Sequence, residues 1–311
     1  MTARKDSPVR IRGFQLADMV DLAKAASQGF LEMCGRHDFV TNRAVVPYLT
    51  GSVDPADDWF IVADYEDARA VGSLVGQAGN FWMGASASEA DNRNCVSLVW
   101  ASVHPDYWGK GIGGRLIEAF EEKARKGKFT TEIVRTYFAQ TFYEMYGFTR
   151  VETFKALALE IVGRGVAPPP KLEIRPLLLD DLPPLANHMT ENAYGELLVS
   201  FFHERKLNAF GPERGETIIG RLDGSIAGVA FGLTSSEYPD LLTLTYLFAR
   251  EPEFALELLQ GLVYLGSLDG RRWVGVNLPL QDIDESELMN LGWKEAQLPT
   301  FATLYELRKD L

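Results

Sequence analysis

The glycine-rich stretch YWGKGIGG, at Tyr107–Gly114, is the first place where residue types and spacing could do chemistry. Gly109, Gly111 and Gly114 satisfy G-x-G-x-x-G, the fingerprint with which a strand–turn–helix unit binds a dinucleotide. In that unit the first glycine follows its strand directly, whereas here the strand-like run SLVWASV ends near Val103 and HPDYW intervenes. A dinucleotide site is therefore a weakly supported alternative.

Other nucleotide-binding patterns fit the stretch no better. The acidic residue that would bind a ribose, Glu132, lies 23 residues after Gly109 in the middle of a strand-like run. The sequence has no G-x-x-x-x-G-K-[ST] phosphate loop, and no kinase motifs follow the glycines. The pattern alone therefore names no nucleotide.

The glycines and the segment after them could nevertheless bind an anion. Small residues at 109, 111, 113 and 114 let the main chain approach a ligand closely. GGRLIEAFEEKARK, from Gly113, has the apolar spacing of an amphipathic helix. Because the N–H groups of a helix N-terminus favour negative charge, a glycine turn before a helix suits a pyrophosphate. A tight turn that only needs flexible residues is the alternative.

A second stretch, AQTFYEMYGF at Ala139–Phe148, follows after one further strand-like run. Its aromatic residues fall at helical spacing, so Tyr143 could be a catalytic phenol or a core aromatic. Taken with SVHPDYWGKGIGGRLIEAF, this stretch resembles the acetyl-CoA loop and the late helix-and-strand signature of the GNAT N-acetyltransferase family. The resemblance covers most of residues 9–162.

This resemblance implies that acetyl-CoA binds as cosubstrate. The pyrophosphate would bind main-chain N–H groups of the glycine loop, and the pantetheine arm would run beside the preceding strand. The implied cofactor-binding residues are Ala101, Ser102, Val103, Trp108, Gly109, Lys110, Gly111, Ile112, Gly113, Gly114 and Arg115. A main-chain N–H in the strand would polarise the thioester carbonyl, and Tyr143 would be the general acid for the departing thiolate. Trp108 stands where the family usually has Gln or Arg, and Thr136 where Asn is common.

The chain also has the pattern of two copies of one plan. VRIRGFQLADMVDLAKAA from Val9 and LEIRPLLLDDLPPLANHM from Leu172 both give a strand-like run with Ile-Arg, a spacer, and an Asp before an apolar helical stripe. The ends of the copies match as well, and the Gly/Pro-rich GRGVAPPPK lies between them. We therefore predict an acetyl-CoA-binding GNAT domain over residues 1–165 and a degenerate GNAT-like domain over residues 166–311.

The predicted fold class is α+β with three layers. Strand-like and helical runs alternate in both copies, which favours two tandem GNAT-like domains, each a mixed, mostly antiparallel twisted sheet flanked by helices. The second copy keeps this outline without the loop, because LFAREPEF places Glu251, Pro252 and Glu253 before its helix. Acidic side chains repel a pyrophosphate and proline lacks an N–H, so we expect no cofactor there.

Composition excludes several classes of function. A net charge of −12 argues against binding nucleic acid or an anionic membrane, and no run is apolar enough to span a bilayer. The N-terminus lacks the apolar core of a signal peptide, so we expect a cytoplasmic protein. No metal is predicted, since Cys34 with His37 and His188 with Glu191 both lack a third ligand. The general base is not identifiable, and His104 is expected to lie beside the cofactor or in solvent.

These observations predict an N-acetyltransferase that moves an acetyl group from acetyl-CoA to a primary amine of a small molecule. A non-catalytic sensor of acyl-CoA or an amine ligand is the alternative, and an NAD(P)-dependent oxidoreductase is a weaker one. Because two copies could supply internally the contact that single-domain relatives make by dimerising, a monomer is favoured over a homodimer.

Overall fold

The structure, a computed structural model, describes residues 8–34, 59–79, 94–181, 183–185, 214–234, 238–277, 283–296, 298 and 301–311. These residues form two compact units. The first unit contains the described residues up to Glu152 together with Tyr305–Leu311, and the second contains those of Thr153–Leu304.

The elements of the first unit are β1 (Val9–Gly13), α1 (Met19–Cys34), β2 (Phe60–Tyr65), β3 (Ala68–Ala78), β4 (Cys95–Val103), α2 (Ile112–Lys126), β5 (Thr131–Thr136), α3 (Gln140–Met145), β6 (Thr149–Phe154) and, from the end of the chain, β14 (Leu304–Asp310). Its sheet has the order β1-β2-β3-β4-β5-β14-β6. Neighbouring strands pair antiparallel from β1 to β4 and between β5 and β14, while β4 and β5 are parallel and are joined by the helix α2.

The elements of the second unit are β7 (Leu157–Glu160), β8 (Glu173–Pro176), β9 (Arg214–Leu222), β10 (Ser225–Thr234), β11 (Leu241–Ala249), α4 (Glu253–Leu268), β12 (Trp273–Val276), α5 (Glu285–Asn290) and β13 (Lys294–Glu295). Its sheet repeats the plan of the first in the order β13-β7-β12-β11-β10-β9-β8. The one parallel pair within the described registers, β11 with β12, is joined by the helix α4. The predicted class, α+β with two mixed sheets flanked by helices, is confirmed.

The two sheets exchange equivalent strands. The last strand of the chain, β14, lies between β5 and β6, whereas β7 lies between β12 and β13 of the second sheet. A buried ion pair, Arg135 with Glu306 at 2.5 Å, accompanies the pairing of β14 with β5. The sequence predicts closing strands in both copies, but a boundary at residues 165/166 does not say which sheet each closing strand joins.

The repeated Ile-Arg and Asp of the sequence have the same structural role in both units. Arg12 forms a two-pronged ion pair with Asp18, at 2.6 and 2.9 Å. Arg175 pairs with Asp181 in the same way, at 2.7 and 2.6 Å. In each unit the guanidinium of the first strand is thereby tied to the turn that follows it.

Alternation along the strands of the first sheet produces three layers. Phe60 and Val62 face one side of the sheet, where Leu22 of α1 packs. Ile61 and its neighbours face the other side, where Phe120 of α2 packs. A Cβ atom at Gly76 would lie 2.0 Å from the Phe120 ring, so this position needs glycine for helix and sheet to meet.

Candidate functional site

The strands β4 and β5 separate partway along their length. Their parallel pairing is limited to Cys95–Leu98 of β4, which lies beside Thr131–Val134 of β5. At Val99 a bulge interrupts the register of β4 with β3, since Gly76 faces Leu98 and Val75 faces Trp100. Beyond the bulge β4 stays with β3 as far as Val103, so a cleft opens between the end of β4 and β5.

Main-chain groups of β4 are directed into this cleft. The N–H of His104 donates to Val71 O at 2.8 Å, which fixes the phase of hydrogen bonding between β3 and β4. Because antiparallel pairs alternate, Ser102 bonds toward β3, whereas Ala101 and Val103 direct their N–H and C=O groups toward the cleft. The indole N–H of Trp108 donates to Val103 O at 2.7 Å, so Trp108 caps the outermost of these carbonyls.

The glycine stretch forms a turn that ends in the N-terminus of α2. A short 3-10 turn at Pro105–Tyr107 follows β4, and then Gly109 and Gly111 adopt left-handed φ angles of 74° and 80°. A Cβ atom at either position would meet no atom within 4 Å, so the space beside them is open. The first bond of the helix runs from the N–H of Arg115 to Gly111 O at 3.1 Å. The N–H groups of the preceding first-turn residues therefore have no acceptor within the helix.

A cation lies beside this turn. The ammonium of Lys110 is 4.7 Å from the ring centroid of Tyr65 and 5.1 Å from that of Tyr107. The faces of two aromatic rings stabilise its position through cation–π attraction. The ammonium charge and the helix N-terminus make the end of the cleft electropositive.

The other two glycines of the stretch have a packing role. A Cβ atom at Gly113 would lie 2.8 Å from the ring of Phe142, and one at Gly114 would lie 2.2 Å from the hydroxyl of Tyr146. These two glycines therefore let α3 contact the first turn of α2. Sequence reasoning gave all four glycines the same role. The signal that it did not use was the spacing of Phe142 in α3 and Tyr146 directly after it, four residues apart.

Tyr143 lies on α3 and is only 5% exposed. Its ring contacts those of Phe142 and Phe148 edge-on, with centroids 5.2 and 5.6 Å away. Burial, together with the nearby carboxyl of Glu132, raises the pKa of this phenol above its ordinary value. Thr136, at the position where Asn is common in the family, accepts the N–H of Ala139 at 3.0 Å and so fixes the start of α3.

Glu132 was considered in the sequence only as a ribose ligand, and the structure gives it another environment. It is 0% exposed, and neither carboxyl oxygen has a hydrogen-bond partner. Burial, and then the neighbouring Glu121, raise the pKa of Glu132 to about 8. Solvent exposure is too low for contact with a ribose.

The remaining candidates do not form a site within the described residues. His104 begins the 3-10 turn, where its Nδ1 accepts the N–H of Asp106 at 3.3 Å. No three described His, Cys, Asp or Glu residues are grouped in a way that could hold a metal ion. His37, His188 and Glu191 lie outside the described residues, and so does the side chain of Cys34.

The second unit has the cleft without the turn. The register of β11 with β10 shifts at the equivalent point, and parallel pairing of β11 with β12 ends at Leu244 with Val276. Only Arg250–Pro252 then separate β11 from α4, whereas His104–Gly111 separate β4 from α2. Proline precedes the first residue of α4, and Glu253 lies in its first turn. This arrangement repels an anion.

Comparison with known proteins agrees with this geometry. Residues 56–150 match the family described as acetyltransferase (GNAT) domain. No curated protein sequence matches the chain. No helix in the described part of the chain is both long and apolar enough to cross a membrane.

Solved structures resemble the chain over nearly its whole length. A GCN5-related N-acetyltransferase from Sphaerobacter thermophilus is 17% identical, with 98% of this chain and 96% of that chain covered and a TM-score of 0.59. A tandem GNAT protein from the clavulanic acid biosynthesis pathway is 18% identical, with 97% and 98% covered and a TM-score of 0.59. A GCN5-related N-acetyltransferase from Anabaena variabilis is 13% identical, with 97% and 72% covered and a TM-score of 0.65.

The fold and the cleft thus define the class: the chain has the tandem GNAT fold. Residues 56–150 match the model of the acetyltransferase (GNAT) domain, and acyl transfer is the class of reaction that this fold supports.

Proposed function

We propose that the first unit transfers an acetyl group from acetyl-CoA to a primary amine of a small molecule. The observation that carries this proposal is the cleft between β4 and β5, whose end meets the left-handed glycine turn and the N-terminus of α2. The cleft offers main-chain groups to an extended arm, and the turn offers N–H groups to an anion.

The residues of the cleft fit the parts of acetyl-CoA. Ala101 and Val103 direct main-chain groups to the path of the pantetheine arm. Because the indole of Trp108 already donates to Val103 O, the main-chain groups of Ala101 are more available to the arm. First-turn N–H groups from Ile112 to Gly114, with the ammonium of Lys110, would bind the pyrophosphate. The proposed roles of Gly113 and Gly114 therefore combine main-chain donation with packing against α3.

In the transfer, the amine attacks the thioester carbonyl, a C–N bond forms, and the C–S bond breaks. The amine loses one proton and the departing sulfur gains one, so the atoms and charges balance. Tyr143 would supply the proton at sulfur, because burial keeps its phenol protonated across the working pH range. A main-chain N–H of β4 would stabilise the oxyanion. We assign no side chain as general base, so the proton that the amine loses would pass to water, and Tyr143 would regain its proton from water.

The second unit, in this proposal, binds no acetyl-CoA. Its three-residue connection contains Pro252, its helix starts with Glu253, and Leu288 stands where the first unit has Tyr143. Because only the first unit has the glycine turn before its crossover helix, the chain should bind one molecule of acetyl-CoA.

Thermal denaturation with added ligands tests the cofactor. We expect CoA, acetyl-CoA or a longer acyl-CoA to raise the Tm, because a ligand that binds only the folded state stabilises it. NAD(P) should leave the Tm unchanged. Stabilisation by NAD(P) and not by CoA would support a dinucleotide enzyme, and no stabilisation by any CoA species would contradict the proposal.

Turnover on a panel of primary amines tests the reaction. Release of free CoA, followed with a thiol reagent, should depend on the amine and on Tyr143. Tight CoA binding without turnover on any amine would favour a sensor over an enzyme.

A further inference from the structure

Buried charges under α3 distinguish the first unit from the second. Glu132 of β5 and Lys309 of β14 face each other directly across the two strands, so their side chains share one face of the sheet. Glu121 of α2 lies over the same face. We call Glu121, Glu132 and Lys309 the charged triad.

Lys309 joins three elements. Its ammonium donates to the carboxylate of Glu121 and, at 2.7 Å, to the carbonyl of Tyr146 at the C-terminal end of α3. Its aliphatic stem lies beside Gly147, whose Cβ position is 3.6 Å from Lys309 Cε. Lys309 therefore ties the helix that carries Tyr143 to α2 and to the last strand of the chain.

Glu132 is surrounded by ionisable groups that it does not bond. Glu121 and Arg125 face it from α2, Lys309 faces it from β14 and Tyr143 from α3. Arg125 is bonded to Glu121 at 2.8 Å, so both cations are already engaged with Glu121. Because its pKa is raised to about 8, Glu132 is protonated and neutral at pH 7. A neutral Glu132 does not compete with Glu121 and Tyr146 O for the ammonium of Lys309.

The positions of the second unit that are equivalent to the charged triad follow from two shared features. One is the turn that joins the crossover helix to the next strand, and the other is the strand that pairs with that next strand. After the helix, Phe129 N–H bonds Ala124 O in one unit and Arg271 N–H bonds Gly266 O in the other. In the second unit β7 pairs with β12 in the same way that β14 pairs with β5 in the first unit. The positions equivalent to Glu121, Glu132 and Lys309 are Val263, Val274 and Leu159.

All three equivalents are apolar, and each is at most 8% exposed. Burying charged groups is costly, and apolar replacements of buried ion pairs are often neutral or stabilising. The second unit shows that this fold accepts an apolar triad. Folding alone therefore does not require the charges, which accompany Tyr143 in the first unit and are absent where Leu288 replaces it.

We propose that Lys309 is a positioning residue that, with Glu121 and over the carboxyl of Glu132, holds α3 so that Tyr143 is placed for proton transfer. This inference rests on the function proposed above. Ionisation of Glu132 would draw Lys309 away from Tyr146 O, because a buried carboxylate needs the nearest cation. Alkaline pH should then loosen α3.

The test uses the full chain and the residues of its own second unit. The triple variant E121V/E132V/K309L carries the apolar triad, K309M removes the bridging cation, and K309R restores a cation. K126M is the matched control, since it breaks an exposed Glu–Lys pair on α2. We measure kcat, the KM for acetyl-CoA, the Tm, and amide hydrogen exchange of α3.

We expect the triple variant to fold with a Tm no lower than wild type and to lose kcat by roughly tenfold or more, with the KM for acetyl-CoA little changed. K309M should lose kcat and exchange α3 amides faster, K309R should recover part of both, and K126M should match wild type. In E132Q, kcat should equal wild type at about pH 7 and should persist above about pH 8, where wild-type kcat should fall.

Three results would overturn the inference: full kcat in the folded triple variant, unchanged α3 exchange in K309M, or an E132Q pH profile identical to wild type. Should the triple variant fail to fold, E132Q still decides, because it is nearly isosteric with the protonated carboxyl. Failure of the proposed function is seen separately, since wild type would then turn over no amine before any variant is compared.

Discussion

The two units share a framework and differ most visibly in the connection that leads into the crossover helix. Each has antiparallel strands, a register shift in the strand before the crossover helix, and a parallel pair that ends where that strand diverges. The first unit then uses eight residues, His104–Gly111, before its helix, while the second uses three, Arg250–Pro252. The cleft is therefore a property of the sheet, whereas the proposed anion site requires an inserted turn with left-handed glycines.

Loss of the left-handed turn should have the largest effect on the difference between units. Gly111→Val places a β-branched side chain at a φ of 80°, a conformation that such residues rarely adopt. The first-turn N–H groups of α2 would be misdirected, and we expect acetyl-CoA affinity to fall by more than about 10²-fold, because several hydrogen bonds to a charged group are lost together. Titration calorimetry measures it.

Gly163→Val is the matched control, since Gly163 also has a positive φ, 71°, and open space around it, but lies in the second unit. Equal loss of affinity in both variants would show that general strain, and not the turn, is responsible.

Removal of the Tyr143 hydroxyl should come next. Tyr143→Phe keeps the aromatic packing with Phe142 and Phe148, so the Tm should change little. We expect kcat to fall by roughly 10²-fold with the KM for acetyl-CoA nearly unchanged, because general acid catalysis contributes about this much. Tyr146→Phe, on the same segment, is the control for steady-state kinetics. Unchanged turnover in Tyr143→Phe would remove the phenol from the mechanism.

The Glu132 carboxyl should give the first unit a pH-dependent stability. Folded Glu132 keeps its proton up to about pH 8, whereas the unfolded chain releases it near the ordinary value of 4.5. The folded state thus binds more protons between these values, so wild-type stability falls as pH rises through this window, by at most about 1.4 kcal/mol per pH unit.

Glu132→Gln does not titrate, so its stability advantage over wild type should grow from about pH 5 to about pH 8 in thermal melts. Glu122→Gln, at an exposed position of α2, should show no such growth. A constant difference between Glu132→Gln and wild type would mean that Glu132 is ionised in the folded state.

The contact between α2 and α3 should give the smallest effect. In Gly114→Ala the new methyl group meets the Tyr146 hydroxyl, so α3 must shift or tilt. We expect a loss of about 1–3 kcal/mol in the free energy of unfolding, measured with denaturant. Adding Tyr146→Phe should relieve only part of this loss, because two ring carbons of residue 146 would still lie 2.7 and 2.8 Å from the new methyl group. No relief at all would show that the loss does not come from contact with the hydroxyl.

Local pattern predicted most of the elements. The strand-like run SLVWASV was predicted to end near Val103, and β4 ends at Val103. The helix after the glycines begins at Ile112, one residue before its predicted start. These elements are predictable because an apolar run with turn residues on both sides determines its own conformation.

The sequence by itself determined the duplication, the glycine turn before α2 and the absence of such a turn in the second copy, because each depends on residues close together in the chain. Tertiary structure alone decided the exchange of β7 and β14, the packing of Gly113 and Gly114 against α3, and the meeting of Glu121, Glu132 and Lys309. Lys309 lies 188 residues from Glu121 in sequence. The order of strands in the sheet, and the packing of α2 on that sheet, bring these distant residues together, and no local pattern encodes either.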